Sequence, residues 1–285
     1  MSENPQTRHI CPLCNSGEII NKFVKANINY CECKSCFFVF SKPIVNVNFQ
    51  EDINDFEEVY LQYFDTNETD DKNFKLMLEW ISQEIDLKGK KVLDIGCGGG
   101  KFVNYLLSKN VDSCGLEPSK PLFEKYLKSS NKFYNAAIED FSKTSEVKYD
   151  VVTVLDVLEH VEYPSAFMDH ITKLQAPNGY LIIEIPLLGS FLSSVSGKNW
   201  HFFNKYHLSY FTKSRLTKLL NEKGYEFVRS KYRGKYFKMD YFFKYIYYFI
   251  FRKQDLNVPQ FLRKKFIYLN TYDIFLVFFK KKSQN

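Results

Sequence analysis

The sequence predicts an α/β fold with a mainly parallel sheet, preceded by a small cysteine-rich module. From residue 91 onward, short apolar segments alternate with amphipathic ones, a pattern that favours a parallel sheet covered on both faces. The stretch VLDIGCGGG (92–100) runs from a strand-like segment into a glycine-rich turn. Five of the seven cysteines lie between residues 11 and 36. These three observations divide the chain into an N-terminal module and a larger α/β core.

The predicted elements follow one another closely. Apolar residues of segment 73–85 recur at helical spacing, so we expect a helix before the first core strand. Further helices are predicted at KFVNYLLSKN, KPLFEKYLK, SAFMDHITKLQ and TKSRLTKLLNEKG. Strands are predicted at KVLDIGC, SCGLEP, KFYNAAI, KYDVVTVLDVLEHV, NGYLIIEIP, YEFVRSKYR and YDIFLVFF. The predicted order is therefore that of a doubly covered sheet with late strands near the C-terminus.

Composition indicates a globular cytoplasmic protein. Of the 285 residues, 45% are hydrophobic and 25% are charged, as in ordinary globular domains. The first residues are polar, and no apolar run approaches the roughly 20 residues needed to cross a bilayer. The net charge of +6 is uneven, because residues 231–285 carry thirteen Lys and Arg against three Asp and Glu. The first 230 residues are thus net acidic, which argues against a nucleic-acid partner. The sequence does not predict an oligomeric state.

The clustered cysteines predict a structural zinc site. The pairs Cys11/Cys14 and Cys33/Cys36 are both CxxC motifs, with 18 residues between them. This spacing is typical of four-cysteine zinc sites, because each CxxC presents two thiolates and two such knuckles complete a tetrahedron. Cys31 is the spare cysteine of the cluster. With four cysteine ligands no coordination position is left for water, so the expected Zn²⁺ is structural.

The glycine loop predicts a nucleoside ligand without phosphates. Gly96 and Gly98 fit a dinucleotide fingerprint, but Lys101 occupies its third glycine position. Asp94 in the preceding strand would repel phosphate and favours a cationic ligand. Glu117 lies 21 residues after Gly96, where an acidic side chain can accept hydrogen bonds from both ribose hydroxyls. S-adenosylmethionine, which carries a sulfonium and an ammonium group, meets these requirements.

The ordered motifs VLDIGCGGG, GLEPS, YDVVTVLDVLEHV and APNGYLIIEIP resemble those of class I S-adenosylmethionine-dependent methyltransferases over about residues 75–230. The resemblance implies a Rossmann-like sheet of seven strands with the last strand antiparallel, a place that YDIFLVFF fills. It implies that Asp94 engages the methionine ammonium and that Gly96, Cys97 and Gly98 let the backbone approach the methionine part. Further implied cofactor contacts are Glu117 with the ribose diol, Ile138 and Glu139 at the adenine edge, and Leu155 and Asp156 closing the pocket.

Three histidines are candidates for acid–base chemistry on the methyl acceptor. His160 follows the fourth predicted core strand, whereas His201 and His207 follow the fifth. Both positions lie at the carboxyl edge of a parallel sheet, where ligands bind. An imidazole titrates near neutral pH and suits a general base. We rank His207 first, His160 second and His201 third.

The combination of cysteine module, core and HLSYFT after the fifth strand resembles methyltransferases of bacterial sugar and glycan pathways. It implies O-methylation of a saccharide, either nucleotide-linked or in a surface polysaccharide precursor. C-methyltransferases of nucleotide-linked deoxysugars are one alternative, although Tyr206 here replaces the Glu that precedes their acid–base His. An RNA base methyltransferase with a zinc-finger module is another, and a lipid-linked or quinone-like acceptor stays open.

The predicted organisation has four parts. These are a zinc-binding module at 1–45, a linker with a helix at 46–90, the cofactor-binding core at 91–235, and a basic aromatic helical segment with the final strand at 236–285. Within the last part, residues 235–253 mix aromatic side chains with Lys and Arg. This segment is expected either to pack as a helix or to contact the inner face of the membrane or a lipid-linked substrate.

Overall fold

The computed structural model describes residues 10–43, 67–251 and 257–283. The strands are β1 Ile19–Lys25, β2 Ile28–Cys33, β3 Val39–Pro43, β4 Lys91–Ile95, β5 Asp112–Leu116, β6 Phe133–Tyr134, β7 Tyr149–Leu155, β8 Gln175–Pro186, β9 Ser209–Tyr210, β10 Tyr225–Tyr232, β11 Lys235–Lys238, β12 Phe266–Leu269 and β13 Ile274–Lys281. The helices are α1 Asn67–Ser82, α2 Lys101–Ser108, α3 Lys120–Leu122 with a following π-helical turn Phe123–Leu127, α4 Ile138–Thr144, α5 Pro164–Leu174, α6 Phe191–Ser196, α7 Lys213–Glu222, α8 Met239–Phe251 and α9 Gln260–Arg263. Two 3₁₀ turns span Leu158–His160 and Gly197–Asn199.

The seven-stranded central sheet has the order β10-β13-β8-β7-β4-β5-β6. Strands β6, β5, β4, β7 and β8 run parallel to one another. Strand β13, the last in the chain, lies antiparallel between β8 and β10. The predicted fold, a seven-stranded sheet with its last strand antiparallel, is therefore confirmed. The carboxyl ends of β4, β5 and β7 meet at one edge of this sheet.

The sheet is apolar on both faces because helices cover both. Val92 and Val151 belong to the core cluster that includes residues of α1 and α2. Their chain neighbours Leu93 and Val152 belong to the opposite cluster, with residues of α4, α5 and α7. Side chains alternate across a strand, so a strand buried on both faces must be apolar throughout. Each fully buried Val or Leu contributes about 1.5–3 kcal/mol by leaving water.

The N-terminal module is joined to the core by a shared sheet. Strands β1, β2 and β3 form an antiparallel sheet, and its fourth strand, β9, comes from the core chain. Residue Phe40 pairs with Ser209, and the Ser41 amide donates to the Leu208 carbonyl at 3.0 Å. On β1, the Lys25 ammonium donates to the carbonyls of Trp200 and Phe203, at 3.0 and 2.9 Å. The module therefore fixes the backbone of residues 200–210.

Helix α1 differs from the predicted segment 73–85, since it begins at Asn67 and ends at Ser82. Its first turns are held by tertiary contacts that hydrophobic periodicity cannot reveal. The Asp70 carboxylate accepts from the Lys101 ammonium at 2.6 Å, and the Asn73 side chain bonds the backbone of Tyr236 in β11. The predicted strand KFYNAAI pairs only at Phe133–Tyr134, because it lies at the outer edge of the sheet.

The aromatic segment 235–253 contains a strand as well as a helix. Its first residues form β11, which pairs antiparallel with β12, and α8 follows directly. Among the described residues, no helix is both long and apolar enough to cross a membrane. Residues 252 and 253, and residues 46–66 of the predicted linker, fall outside the described ranges.

Candidate cofactor and acceptor site

The glycine loop after β4 is a tight left-handed turn. Gly96, Gly98 and Gly100 have φ values of 72°, 54° and 71°, a region that favours glycine because it has no Cβ. The Gly96 and Cys97 amides both donate to the Leu116 carbonyl, at 2.7 and 3.1 Å. A Cβ at Gly96 would lie 2.6 Å from a methyl carbon of Val157. Backbone conformation and close packing thus both require glycine at position 96.

Asp94 and Glu117 are buried carboxyl groups on either side of this loop. Asp94 is 4% exposed and accepts a 2.6 Å hydrogen bond from the Thr153 hydroxyl. Burial, with the nearby charge of Glu117, raises the pKa of Asp94 to about 7. The Glu117 carboxylate accepts from the amides of Gly98 and Ser119, at 2.9 and 2.8 Å, yet burial still raises its pKa. The Gly98 amide therefore binds the loop to Glu117, whereas Asp94 forms no ion pair with any residue that the structure describes.

One cavity of about 200 Å³ lies at the carboxyl edge of the sheet. Six residues predicted to bind the cofactor line it: Asp94, Gly96, Cys97, Gly98, Leu155 and Asp156. Glu117 does not line the cavity itself. Its carboxylate accepts a hydrogen bond from the amide of Gly98, which does line it. The structure therefore brings most of the predicted methionine-end residues around one space.

The two predicted adenine-edge residues lie apart from this cavity. Ile138 is the first residue of α4, and its side chain is 4% exposed within the hydrophobic core. Glu139 is exposed on the same helix. The start of the helix turns the Ile138 side chain inward, an orientation that the motif comparison did not reveal.

Sequence reasoning missed a set of charged residues around the cavity. Arg233 and Lys235 lie beyond β10 and form ion pairs with Glu184 on β8, and Lys235 also pairs with Asp156 at 3.0 Å. Burial alone would raise the pKa of Glu184, but the two cations outweigh it and lower this pKa to about 2. A carboxyl in an otherwise apolar strand, as in LIIEIP, was the available signal.

A second missed pair consists of Asp70 and Lys101, joined at 2.6 Å on the same cavity wall. In the sequence, Lys101 is recognisable only as the residue at the third glycine position of the dinucleotide fingerprint. Asp156 itself has a φ of 54°, an uncommon backbone conformation for a non-glycine residue that is often found at functional sites.

His160 and His207 come together beside the turn after β7. Their ring centroids are 4.8 Å apart and the rings are nearly perpendicular. The Tyr206 carbonyl lies 2.9 Å from His160 Nδ1; since a carbonyl only accepts, Nδ1 carries the proton and Nε2 keeps its lone pair. Burial lowers the pKa of both rings, to about 3 for His207, where the neighbouring His160 also contributes. Both imidazoles are therefore neutral at physiological pH.

Glu159 completes this cluster and was not predicted from the sequence. It is 3% exposed, and donor atoms of Glu159, His160 and His207 lie within 4.8 Å of one another. Burial, followed by the charge of Asp156, raises its pKa well above the usual range. His201 lies elsewhere: its side chain is 53% exposed, and its Nε2 is 3.9 Å from Asp273. The structure thus joins two of the three candidate histidines.

The four predicted zinc ligands also converge. The Sγ atoms of Cys11 and Cys36 are 3.6 Å apart, as are those of Cys14 and Cys33, and all four lie within 4.8 Å of one another. Four thiolates at about 2.3 Å from Zn²⁺ would be separated by about 3.8 Å in a regular tetrahedron. Without an ion, burial raises the pKa of Cys11 to about 11 and also raises that of Cys36. Burial acts in the same direction on Cys33, but hydrogen bonds from the Cys36 backbone and the Cys14 side chain outweigh it and lower that pKa to about 7. The donor set therefore fits a tetrahedral thiophilic ion, and Cys31 is not part of it.

Comparisons with known proteins agree with this fold and site. The family described as "Methyltransferase domain" matches residues 70–230. The chain is 31% identical over 148 residues to a ubiquinone biosynthesis O-methyltransferase of Dechloromonas aromatica, a match that covers 47% of this chain and 62% of that protein. An enzyme of the same name from Psychrobacter cryohalolentis is 32% identical over 109 residues, covering 35% of this chain and 42% of that protein. The chain thus spans less than two thirds of these curated relatives.

Solved structures show the same architecture. A SAM-dependent methyltransferase from Archaeoglobus fulgidus aligns with a TM-score of 0.51 and 19% identity, over 73% of this chain and 94% of that one. A putative methyltransferase in complex with the Trm112 activator, from Haloferax volcanii, aligns with a TM-score of 0.55 and 10% identity, over 81% and 98%. The family match covers more than half of the chain, so the protein belongs to this methyltransferase domain family.

The requirement for glycine at position 96 can be measured against Gly89, which has the same left-handed φ of 71° but no atom within 4 Å of an added Cβ. Gly89→Ala should cost about 1–2 kcal/mol of unfolding free energy from backbone strain alone. Gly96→Ala should cost about 1–3 kcal/mol more, because the new methyl overlaps Val157. Urea unfolding monitored by circular dichroism measures both.

Adding Val157→Ala tests the cause, because it removes the overlapping methyl carbons. The double variant should recover part of the extra loss, as a double-mutant cycle detects. Equal losses at positions 89 and 96 would show that close packing at Gly96 is unimportant.

Proposed function

We propose that this methyltransferase transfers the methyl group to a hydroxyl oxygen of a saccharide, either nucleotide-linked or part of a surface polysaccharide precursor. The observation that carries the proposal is the position of the buried Glu159–His160–His207 cluster beside the cofactor cavity. When bound, S-adenosylmethionine supplies an electrophilic methyl group on its sulfonium. The protein must then hold the acceptor oxygen in line with that carbon and accept the hydroxyl proton.

The cofactor-binding roles follow from the charges around the loop. Asp94 is buried without a cation, so the ammonium group of the methionine part would provide its counter-charge. The left-handed glycines let the loop backbone approach that part closely, and Glu117, at the end of β5, lies where a ribose diol can be held. Leu155 and Asp156 close the cavity from β7. For Ile138 and Glu139 only a backbone role at the adenine edge remains compatible with the buried Ile138 side chain.

His207 is the proposed proton acceptor, and His160 is the second candidate. Both rings are neutral, so each has a lone pair available, and the hydrogen bond from His160 Nδ1 to the Tyr206 carbonyl directs its lone pair to Nε2. A proton taken up by His207 would be held only briefly, because burial disfavours its charged form.

Oxygen as the acceptor atom is supported by the curated relatives, which are named O-methyltransferases. Their names concern ubiquinone biosynthesis, so a phenolic ring is the second candidate acceptor. C-methylation of a deoxysugar and methylation of an RNA base remain alternatives without a specific supporting contact. A panel of nucleotide-linked hexoses, a catechol and short RNA, assayed with methyl-labelled cofactor, distinguishes these classes. Labelling of the catechol alone would overturn the saccharide proposal.

We further propose that the module of residues 1–45 is held together by one structural Zn²⁺ on Cys11, Cys14, Cys33 and Cys36. A closed four-thiolate site of this kind contributes folding free energy and performs no chemistry. Contact of segment 235–253 with a membrane surface also stays a prediction. The first residues of this segment form β11, whose backbone is hydrogen-bonded to β12.

The pKa of Asp94 predicts a pH dependence of product binding. S-adenosylhomocysteine keeps the ammonium group and needs Asp94 ionised, but a carboxyl with a pKa of about 7 is mostly protonated below neutral pH. Affinity should therefore be constant above pH 8 and weaken by up to about tenfold per pH unit below 7. Isothermal titration calorimetry from pH 5.5 to 8.5 measures this.

Asp94→Asn should bind weakly at all pH values and lose most of this slope, leaving only a contribution from Glu117. Asp112→Asn is the matched control, since that carboxylate is exposed and paired with Lys132. A full slope in Asp94→Asn would exclude Asp94 as the ammonium partner.

The proposed acid–base role predicts that His207→Ala lowers turnover about 10²–10⁴-fold while the affinity for S-adenosylhomocysteine is unchanged. His170→Ala is the control, because His170 lies on α5 and its Nδ1 is hydrogen-bonded to the Ser142 hydroxyl, away from the His160–His207 pair. Labelled methyl transfer to the acceptor found in the panel provides the rate. An unchanged rate in His207→Ala contradicts the assignment.

The zinc proposal predicts at least one Zn²⁺ per chain by atomic emission after purification. Cys36→Ala should hold one Zn²⁺ fewer than the unmodified chain and should destabilise the β1–β3 sheet, because three thiolates bind Zn²⁺ less tightly and buried Cys11 loses its partner. Cys31→Ala, the matched control, should keep the full metal content. Purified protein without zinc would refute the proposal.

A further inference from the structure

We infer that Glu159, His160 and His207 form a second metal site, which binds a divalent transition-metal ion with open coordination positions. The three side chains belong to two separate segments, the 3₁₀ turn after β7 and the segment before β9. Binding of the ion does not depend on the acceptor class; only the ion's role in the reaction rests on the proposed function.

The ligand atoms are already close together. One donor atom from each of Glu159, His160 and His207 lies within 4.8 Å of the other two. His160 meets a further requirement, because its Nδ1–H is bonded to a backbone carbonyl and its Nε2 is left as a ligand atom. Such a second hydrogen bond is the usual way in which a metal-binding imidazole is oriented.

In two of the three side chains, one buried polar atom has no hydrogen-bond partner among the described residues. Within the described part of the chain, Glu159 Oε2 and His207 Nδ1 are fully buried and accept no hydrogen bond. A buried polar atom without a partner costs about 1–3 kcal/mol, and native proteins contain few. Two such atoms from different segments within one cluster indicate a missing common partner, and a cation satisfies both lone pairs at once.

Backbone contacts hold the two segments in register. The Leu208 amide donates to the Glu159 carbonyl at 2.7 Å, and the Ser209 hydroxyl donates to the Val161 carbonyl at 2.8 Å. The amides of Tyr206 and His207 both donate to the Asn204 side chain, at 2.9 and 3.2 Å. The site is therefore fixed by the fold on both sides, and its ligands need only small side-chain movements.

The donor set indicates which ion would bind. Two imidazoles and one carboxylate suit Zn²⁺, Mn²⁺ or Fe²⁺. Three protein ligands leave positions for water or substrate, as in catalytic metal sites, in contrast to the closed four-cysteine cluster. Asp156, three residues before Glu159, lines the cofactor cavity. The turn that carries Glu159 and His160 therefore starts next to that cavity.

In the proposed reaction the ion would bind the acceptor hydroxyl and lower its pKa. The O–H bond then breaks with loss of the proton to water, and the oxygen forms a bond to the methyl carbon. The carbon–sulfur bond breaks and its electron pair stays on sulfur. The ion keeps its oxidation state throughout. His207 would act in this case as a ligand and not as the base.

Electron paramagnetic resonance with Mn²⁺ alone tests the inference on the full chain. Bound Mn²⁺ loses the six-line signal of the free ion, and this ion has little affinity for thiolate sites, so the cysteine cluster is not counted. We expect one bound Mn²⁺ per chain. Glu159→Gln and His207→Ala should each weaken its binding at least tenfold, whereas His170→Ala should not.

Affinity for S-adenosylhomocysteine, measured on the same samples, shows that each variant is folded and keeps the cofactor site. Unchanged Mn²⁺ binding in both Glu159→Gln and His207→Ala would overturn the inference, as would the absence of binding to the unmodified chain. Because the titration uses neither cofactor nor acceptor, a failure of the proposed methyl transfer leaves its result intact.

Discussion

The burial of carboxyl groups at the carboxyl edge of the sheet is the constraint on which this site depends. Asp94, Glu159 and Glu184 are each less than 5% exposed, and an unpaired charge in such surroundings is costly. Glu184 is compensated by two cations of the chain, which lower its pKa to about 2. Asp94 has only a hydroxyl donor, and its pKa rises to about 7. Glu159 has the least compensation, with a pKa well above the usual range.

The three carboxyl groups differ in how far cations of the chain offset their negative charge. This difference separates structural from ligand-binding groups. Glu184, with Arg233 and Lys235, joins β8 to the segment beyond β10 and needs nothing further. Asp94 is destabilised as an anion until a cation arrives, so cofactor binding and its ionisation are coupled. At Glu159, burial and the charge of Asp156 raise the pKa, and the charge of Lys235 offsets this only in part. The same physical rule, that buried charge requires counter-charge, thus accounts for the ion pairs of Glu184 and supports the ligand roles proposed for Asp94 and Glu159.

The sequence was sufficient for the fold and the loop because their signals are local. Alternating apolar segments predict a parallel sheet, and four glycines within residues 96–100 predict a turn after the first core strand. Contacts between distant segments have no such signal. The pairing of Phe40 with Ser209 joins residues far apart in the chain, and Glu159 acquires a role only when His207 is placed beside it. Ile138 is placed at the adenine edge by its motif position, and its side chain is buried in the core; a motif position does not tell which way a side chain points.

The contact between the N-terminal module and the core connects the cysteine cluster to the histidines proposed to act on the methyl acceptor. Cys33 ends β2, which pairs with β3, and β3 in turn pairs with β9, directly after His207. The Ser41 hydroxyl donates to the His207 carbonyl at 3.0 Å, so the module contacts a proposed catalytic residue through its backbone. None of these bonds involves the loop around Gly96. Loosening the module should therefore disturb the position of His207 while the cofactor loop, built on β4 and β5, keeps its geometry.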